Sequence, residues 1–360
     1  MLYRNQRRYG YDALRVVCAT AVCLLHFEST MAQRIGGGSV PSSATRLTFS
    51  FLGSGLDIGS LAVCLFFMLS GALAARTTLR DEGFSIPGYL RHRALRLLPP
   101  LWLSWLLICV WYMAHGSFHF DVPAWRFALT VLGLDGYVSY ALNLGPSFYY
   151  CGEWFYGAIV IAAVQWPLMR WLLRRAGVAG SAALVVVAEA LAFLALGRDA
   201  TLLWRSLPVC LGSYLLGACV SEVRLTRNVV ASASVCAVAC LSGLIVVGLP
   251  STVRFQLVGL GVFGLVELRE QLLESRGVTH SSEGLARARR VLVRASGLTL
   301  YFFMWQFAVI RWAVPLAAGS VDYAFGAFDY WGLAALIVLV TALAAALTQR
   351  LERGIREFAA

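Results

Sequence analysis

Long apolar runs alternate with short polar links along the whole chain, and many of the runs approach the length of a membrane-spanning helix. In lipid a backbone must satisfy its own hydrogen bonds, so a run of about 20 apolar residues predicts a helix that crosses the membrane. The pattern therefore predicts an all-α polytopic membrane protein with about ten spans, forming a single domain over residues 1–360. The predicted spans are 12–27, 56–75, 97–114, 150–172, 178–197, 201–221, 228–249, 253–268, 297–316 and 331–349.

Two parts of the pattern are irregular. Residues 124–143 are half apolar and contain Gly133, Asp135 and Gly136, which favours a re-entrant or interfacial helix on the outer side over a full span. The run 253–268 is short and rich in glycine, and one long, partly helical cytoplasmic loop, 269–294, is predicted to follow it. If the segment 124–143 crossed the membrane fully, every later link would face the opposite side.

Composition and charge narrow the class of protein. The chain is 59% hydrophobic and 14% charged, whereas soluble domains are about 25% charged. Its formal net charge of +11 does not indicate nucleic-acid binding, because the arginines lie mainly in the links between apolar runs. Most of them fall on one side of the predicted membrane, so both termini are predicted to be cytoplasmic. The nine cysteines show no Cys-x-x-Cys pair and no zinc-ligand spacing, which predicts neither disulfides nor a metal site.

The first span carries two ionisable residues, Arg15 and His26. On one helix their side chains lie within about 20° of the same face and about 16 Å apart along the axis. An ionisable group inside a membrane segment indicates a functional site. His26 is then a general base or acyl acceptor, and Arg15 binds an anion. The structural alternative is that Arg15 extends to the cytoplasmic interface, while His26 caps the far end of the span or bonds to Glu28.

Three arginines, the arginine cluster, lie where the third span begins: Arg91, Arg93 and Arg96. Arg93 and Arg96 share one helical face. The cluster is either an anchor of the positive-inside type or a clamp for phosphate, which arginine binds through paired hydrogen bonds. On either side of it, the Ser70–Gly71 pair predicts close helix packing, and the Pro99–Pro100 pair predicts a kink or a helix start.

A carboxylate, Glu153, stands among aromatic residues at the predicted outer end of the fourth span. A belt of aromatic residues at the membrane surface explains the rings, but it does not explain the carboxylate. Glu153 is therefore predicted to pair with Arg126, to orient a catalytic base, or to bind a sugar hydroxyl. In the last case Trp154 and Tyr156 are the predicted sugar-contacting rings.

Taken in order, these motifs resemble those of the membrane acyltransferase-3 family. Members of that family show an Arg followed after ten residues by His, as Arg15 and His26 do here. They also show Phe-Phe-x-x-Ser-Gly, Arg-x-x-Arg-x-x-Pro, a Glu followed by aromatic residues, and Leu-Pro with a later Leu-Leu-Gly. The corresponding residues are Phe66, Phe67, Ser70, Gly71, Arg93, Arg96, Pro99, Glu153, Trp154, Phe155, Tyr156, Leu207, Pro208, Leu215 and Gly217.

Two positions depart from the family pattern. Family members often have an acidic residue where this chain has Cys64, and a histidine where it has Gln306. Glu28 and Asp57 are alternative sources of the missing carboxylate. From the residues alone, Gln306 is predicted to hydrogen-bond between helices. Two carboxylates in spans are isolated in the sequence and receive no role: Glu189 and Glu267.

The resemblance implies a stand-alone membrane O-acetyltransferase, without a periplasmic hydrolase-like domain, that moves an acetyl group from cytoplasmic acetyl-CoA to a sugar hydroxyl. The implied acceptor is a bacterial cell-surface or exopolysaccharide sugar, for example in a xanthan-type gum, carried on a polyprenyl-linked oligosaccharide in the inner membrane. The arginine cluster would bind the phosphates of CoA, and His26 would deprotonate the acceptor or carry the acyl group. Arg15 would stabilise developing negative charge, and Glu153 would support His26 or position the sugar.

Two other functions fit the same polar residues. A transporter or flippase also uses buried Arg, His and Glu side chains, but it consumes no thioester. A subunit of a polysaccharide export complex would be needed for secretion, while its His26→Ala variant would leave acetylation unchanged. Release of free CoA separates the enzyme from both alternatives.

Overall fold

The computed structural model describes residues 7–34, 40–48, 50–115, 122–144, 151, 153–197, 205–276, 283–319 and 327–359. Within these ranges the regular secondary structure is helical, and no strand occurs. Twelve α-helices are defined there, and three short 3₁₀ turns lie between them. The helices are α1 Tyr9–Arg34, α2 Ser42–Thr48, α3 Ile58–Thr78, α4 Ile86–Ala114, α5 Phe127–Val131, α6 Asp135–Ala141, α7 Glu153–Leu196, α8 Leu207–Glu222, α9 Val229–Ile245, α10 Ser251–Arg276, α11 Glu283–Gly319 and α12 Ala327–Ala359.

The described helices confirm the all-α polytopic architecture. Eight of them are long and apolar enough to cross a membrane. Helix α7 breaks at Gly177, which has φ 67° and ψ −171°, so its two halves cover the predicted spans 150–172 and 178–197. A left-handed φ is readily adopted by glycine, which explains why the break falls there. The shorter apolar helix α8 covers the predicted span 201–221, so a count of about ten is supported.

Several helices extend beyond the predicted spans. Helix α10 is 26 residues long and extends past both ends of the predicted span 253–268. The segment 269–294, predicted to be a partly helical loop, is helical over 269–276, which continues α10, and over 283–294, which begins α11. Helix α4 starts at Ile86 and runs through Pro99 and Pro100, which places the arginine cluster inside the helix.

The irregular segment 124–143 forms a 3₁₀ turn and the two short helices α5 and α6. Gly133 separates them with φ 73°. At five and seven residues, neither helix is long enough to cross a bilayer. The prediction that this segment does not span the membrane is therefore confirmed.

The chain divides into two compact units, and each is described here by itself. Unit 1 consists of Met1–Cys18, Ser60–Tyr89 and Ala162–Ser296, and unit 2 of Ala19–Gly59, Leu90–Ile161 and Gly297–Ala360. The single domain over 1–360 stays a prediction. In unit 2, buried Leu101, Ile108, Tyr156 and Met304 form part of one apolar core.

Helices α3 and α8 of unit 1 approach each other through two glycines. A Cβ atom on Gly71 would overlap the backbone carbonyl of Tyr214, and one on Gly217 would overlap the backbone of Met68. The two backbones are thus in direct contact, which only residues without a side chain allow. The close packing predicted from Ser70–Gly71 is confirmed.

Replacing Gly217 by Ala is expected to force α3 and α8 apart. Because the new methyl group meets backbone atoms rather than a flexible side chain, the expected loss of unfolding free energy is about 1–3 kcal/mol. Thermal unfolding in detergent measures it. The matched control is Gly354→Ala in α12, where no neighbour lies within 4 Å of the added Cβ and helix propensity favours Ala by about 0.5–1 kcal/mol. Equal effects of the two substitutions would contradict the described helix contact.

Candidate active site

Helix α1 carries both Arg15 and His26 and is unbroken over its 26 residues. The helix required by the predicted spacing therefore exists. Arg15 belongs to unit 1 and His26 to unit 2, so their surroundings are given separately.

Arg15 lies beside a buried carboxylate, Asp12. Its Nη1 atom is 3.4 Å from Asp12 Oδ1 and 3.4 Å from Ser296 Oγ. The Ser296 hydroxyl in turn donates to Asp12 Oδ1 at 2.6 Å, and Arg7 Nε donates to Asp12 Oδ2 at 2.7 Å. Contacts of 3.4 Å are at the long end for hydrogen bonds, so Asp12 and Ser296 orient the guanidinium without binding it tightly. The sequence analysis assigned no role to either residue.

His26 is half-buried and packs against an aromatic ring of α11. Its ring centre is 5.6 Å from that of Phe307, and the two planes are inclined at 74°. The guanidinium carbon of Arg311 lies 4.4 Å from the centre of the same Phe307 ring. Thr30 donates from its hydroxyl to the His26 carbonyl at 2.8 Å. The edge-to-face contact with Phe307 therefore helps to orient the imidazole.

A second buried carboxylate, Glu28, follows His26 on α1. It accepts a hydrogen bond from the Thr48 hydroxyl of α2 and one from the Tyr330 hydroxyl of α12, the latter at 3.4 Å. The Tyr330 ring also contacts Phe27, with ring centres 4.9 Å apart. These contacts attach the part of α1 that carries His26 to two other helices of unit 2. They support Glu28 as a residue that positions this turn of α1.

The arginine cluster lies on the early turns of α4. Arg91 and Arg96 are exposed and Arg93 is half-buried. Arg93 is close enough to Arg96 to repel it electrostatically. In the described part of the chain, Arg91 and Arg96 form no ion pair. A cluster of guanidinium groups favours an anionic ligand, and the paired donors of arginine suit phosphate.

The residues predicted around Glu153 have different surroundings. Glu153 begins α7, but its side chain lies outside the described residues, so its predicted pairing with Arg126 stays a prediction. The described partners of Arg126 include Asp135, at 3.3 Å, and Ser139. All three are buried on the segment 124–143, and this ion pair holds its short helices together.

The two predicted sugar-contacting rings differ in access. Trp154 is half-buried, with its ring 6.5 Å from that of Tyr140. Tyr156 is buried in the core of unit 2, and its hydroxyl donates to the Leu97 carbonyl at 2.5 Å. Trp154 is therefore more accessible than Tyr156, whose described hydrogen bond lies within the protein.

The two departures from the family pattern are both buried. Cys64 Sγ lies 3.7 Å from Ser213 Oγ in unit 1. Gln306 in unit 2 has an exposed fraction of 2%, and its Oε1 atom has no hydrogen-bond partner among the described residues. The prediction that Gln306 hydrogen-bonds between helices stays a prediction.

Sequence reasoning missed a buried ionic network at the start of α1. Arg8 pairs with Glu267 and donates to both oxygens of Glu274, at 2.8 and 2.9 Å. Tyr11 donates to Glu267, and Arg76 pairs with Glu274 at 3.2 Å. Burial lowers the pKa of the Arg8 guanidinium, but its hydrogen bonding to Glu274 and the charge of Glu267 outweigh burial, so the pKa is raised above its ordinary value. Glu267 and Glu274 are seven residues apart, hence on one helical face, which is the signal that the sequence did contain.

Comparison with known families adds one finding. Residues 8–350 match the family profile described as an acyltransferase domain. No curated protein and no solved structure matches the chain. The match begins at Arg8 and includes every predicted site residue.

Proposed function

The chain belongs to the membrane acyltransferase-3 family, and from this premise we propose that it transfers an acetyl group from acetyl-CoA to a sugar hydroxyl. It is a multi-pass membrane acyltransferase. The proposed acceptor is a sugar of a bacterial cell-surface or exopolysaccharide, carried on a polyprenyl-linked oligosaccharide in the inner membrane. The observation that carries the proposal is an imidazole, His26, held half-buried against Phe307 in a membrane helix of an acyltransferase.

His26 is the proposed general base. It takes the proton of the acceptor hydroxyl as the oxygen attacks the thioester carbonyl carbon. The tetrahedral intermediate then collapses, the carbon–sulfur bond breaks, and the protonated imidazole returns the proton to the CoA thiolate. A second route has the same overall reactants and products. In it, His26 itself accepts the acyl group from the thioester and passes it to the acceptor hydroxyl.

Arg15 is the proposed anion-binding group of the same reaction. Its guanidinium is oriented by Asp12 and Ser296 through long contacts, and a guanidinium group is well suited to bind a negatively charged ligand. It would stabilise negative charge that develops on the thioester oxygen or bind a phosphate of the donor. Asp12 supports either role, because it already orients the Arg15 guanidinium, which then needs no reorientation during the reaction.

The arginine cluster is the proposed docking site for the phosphates of CoA. The exposed side chains of Arg91 and Arg96 and the half-buried Arg93 offer positive charge at the end of α4 that is predicted to be cytoplasmic. Trp154 is the proposed sugar-contacting ring, with Tyr156 behind it in the core. Glu153 would position a sugar hydroxyl or support His26.

Replacing Arg93 and Arg96 by Ala is expected to raise the KM for acetyl-CoA by about tenfold or more, because charge-assisted hydrogen bonds to phosphate are lost. The KM for the acceptor should stay unchanged. Initial rates at varied donor and acceptor concentrations measure both. The control is Arg174→Ala, which removes an exposed arginine from α7. An equal rise in both KM values would favour a role in folding instead.

The reaction itself is tested in membranes from cells that express the protein or lack it. Labelled acetyl-CoA is supplied together with total polyprenyl-linked glycans. The expected result is label in the glycan and an equal amount of free CoA, only when the protein is present. Intact acetyl-CoA in the presence of the folded protein and glycan would overturn the proposal and favour the transporter or export-subunit alternative.

A further inference from the structure

Unit 1 contains a cavity that the proposed acyl transfer does not use. The second half of α7, together with α8 and α10, encloses about 510 Å³ of space. Cavities of this size typically hold small molecules. Most of the wall is aliphatic, with Val186, Leu194, Leu216 and Leu260 among the lining residues. An apolar ligand or a hydrocarbon chain therefore fits most of its length.

One carboxylate interrupts the aliphatic wall. Glu189 lines the cavity, and its Oε1 atom accepts a hydrogen bond from Gln256 Nε2 at 2.5 Å. The same amide nitrogen donates to Ser213 Oγ at 3.1 Å, so both of its hydrogens are used inside the protein. Among the described residues the second oxygen of Glu189 has no hydrogen-bond partner. A carboxylate in a membrane helix is costly and indicates a function.

The neighbouring helix leaves room for this carboxylate. A Cβ atom on Gly212 of α8 would overlap Glu189 Oε1 and lie 2.9 Å from Val185 Cγ1. Any larger residue at this position would displace the Glu189 side chain. The Gln256 amide therefore holds the carboxylate in place, and the missing side chain at Gly212 provides the space that the carboxylate occupies.

The cavity is accessible from the lipid side. Val186 and Leu194 of its wall are 68% and 77% exposed, and Leu191 on the same helix, outside the wall, is 61% exposed. Apolar side chains exposed on a membrane helix face hydrocarbon. A molecule dissolved in the bilayer can therefore enter without crossing water.

We propose that this cavity binds an uncharged lipid alcohol, with its chain along the aliphatic wall and its hydroxyl donating to Glu189. A carboxylate repels the phosphate and carboxylate groups of anionic lipids. A plain hydrocarbon would leave the second oxygen of Glu189 buried without a partner. An ammonium group would have to give up its hydration for a single opposing charge. The inference is independent of the proposed acyl transfer.

Photolabelling of the purified full-length protein tests the proposal. The probes are a long-chain alcohol with a diazirine in its chain, the matching alkane and the matching amine. At equal concentrations the alcohol is expected to label the lining residues of α7 and α10 about tenfold more than the alkane, because only the alcohol forms a charge-assisted hydrogen bond. Equal labelling by alcohol and alkane, stronger labelling by the amine, or labelling outside these residues would overturn it.

Variants connect the preference to the carboxylate. Glu189→Leu should let alcohol and alkane label equally, since the wall becomes wholly apolar. The control is Leu191→Ala, on the same helix but outside the cavity. This variant should still be labelled about tenfold more by the alcohol than by the alkane, as the wild type is. If Glu189→Leu does not fold, Gly212→Ala replaces it, because the added methyl group displaces the same carboxylate. An unchanged preference in a folded Glu189 or Gly212 variant would contradict the proposal.

Discussion

Replacing His26 by Ala is expected to lower the rate of acetyl transfer by about 10²–10⁴-fold, the usual contribution of a general base. The substitution removes a half-buried ring rather than a fully buried one, so the protein should remain folded in the membrane. Membranes with equal amounts of wild-type and variant protein are supplied with labelled acetyl-CoA and polyprenyl-linked glycans, and label in the glycan is measured together with free CoA.

The control for this experiment is His115→Ala. His115 is exposed just after α4 and stacks on Trp111, with ring centres 4.3 Å apart. The His115→Ala variant tests whether loss of an imidazole outside the proposed site also lowers the rate. This variant should retain full activity. Normal acetylation by the His26→Ala variant would remove His26 from the chemistry. A lost rate at an unchanged level of folded His26→Ala protein, with full activity of the His115→Ala variant, would exclude a general folding defect.

The membrane helices could be predicted from the sequence because each one is a local feature. A run of apolar residues needs no distant partner to be recognised, so the ten predicted spans correspond to described helices. The helix ends were not predictable in the same way. Residues 269–276 look polar enough for a loop, yet they continue α10 because Glu270 accepts from the Gly10 amide and Glu274 binds Arg8 and Arg76. Those partners are far away in sequence.

In the candidate site, too, local features were predictable from the sequence and distant partners were not. The spacing of Arg15 and His26 was predictable because a single unbroken helix sets it. The residues that orient them come from distant segments: Ser296 beside Arg15, and Phe307 beside His26. No periodicity in the sequence pairs such positions, so only the folded chain identifies them.

Isolated carboxylates were the residues that sequence reasoning explained least. Glu189 and Glu267 each stand alone in an apolar run. In the folded protein Glu189 is held by Gln256, while Glu267 is held by Arg8 and Tyr11. The cost of burying a charge in lipid predicts that such partners exist. It does not predict which residues they are.

Replacing Arg8 by Ala is expected to lower the free energy of unfolding by about 3–5 kcal/mol, because it leaves a buried carboxylate without its counter-ion. Arg8 and Glu267 have side-chain exposures of 5% and 0%. After the substitution Glu267 retains only the Tyr11 hydroxyl and the Gln271 amide, the latter at 2.7 Å. Thermal unfolding in detergent and the yield of folded protein measure the loss.

The adjacent arginine supplies a matched control, since Arg7 also pairs with a carboxylate but has a side-chain exposure of 51%. Arg7→Ala should cost only about 0–1 kcal/mol, as exposed ion pairs do. Combining Arg8→Ala with Glu267→Gln should recover part of the loss, because the buried charge is then removed along with its partner. Equal small losses for the Arg7 and Arg8 variants, or no recovery in the double variant, would show that the Arg8–Glu267 pair does not hold the start of α1 against α10.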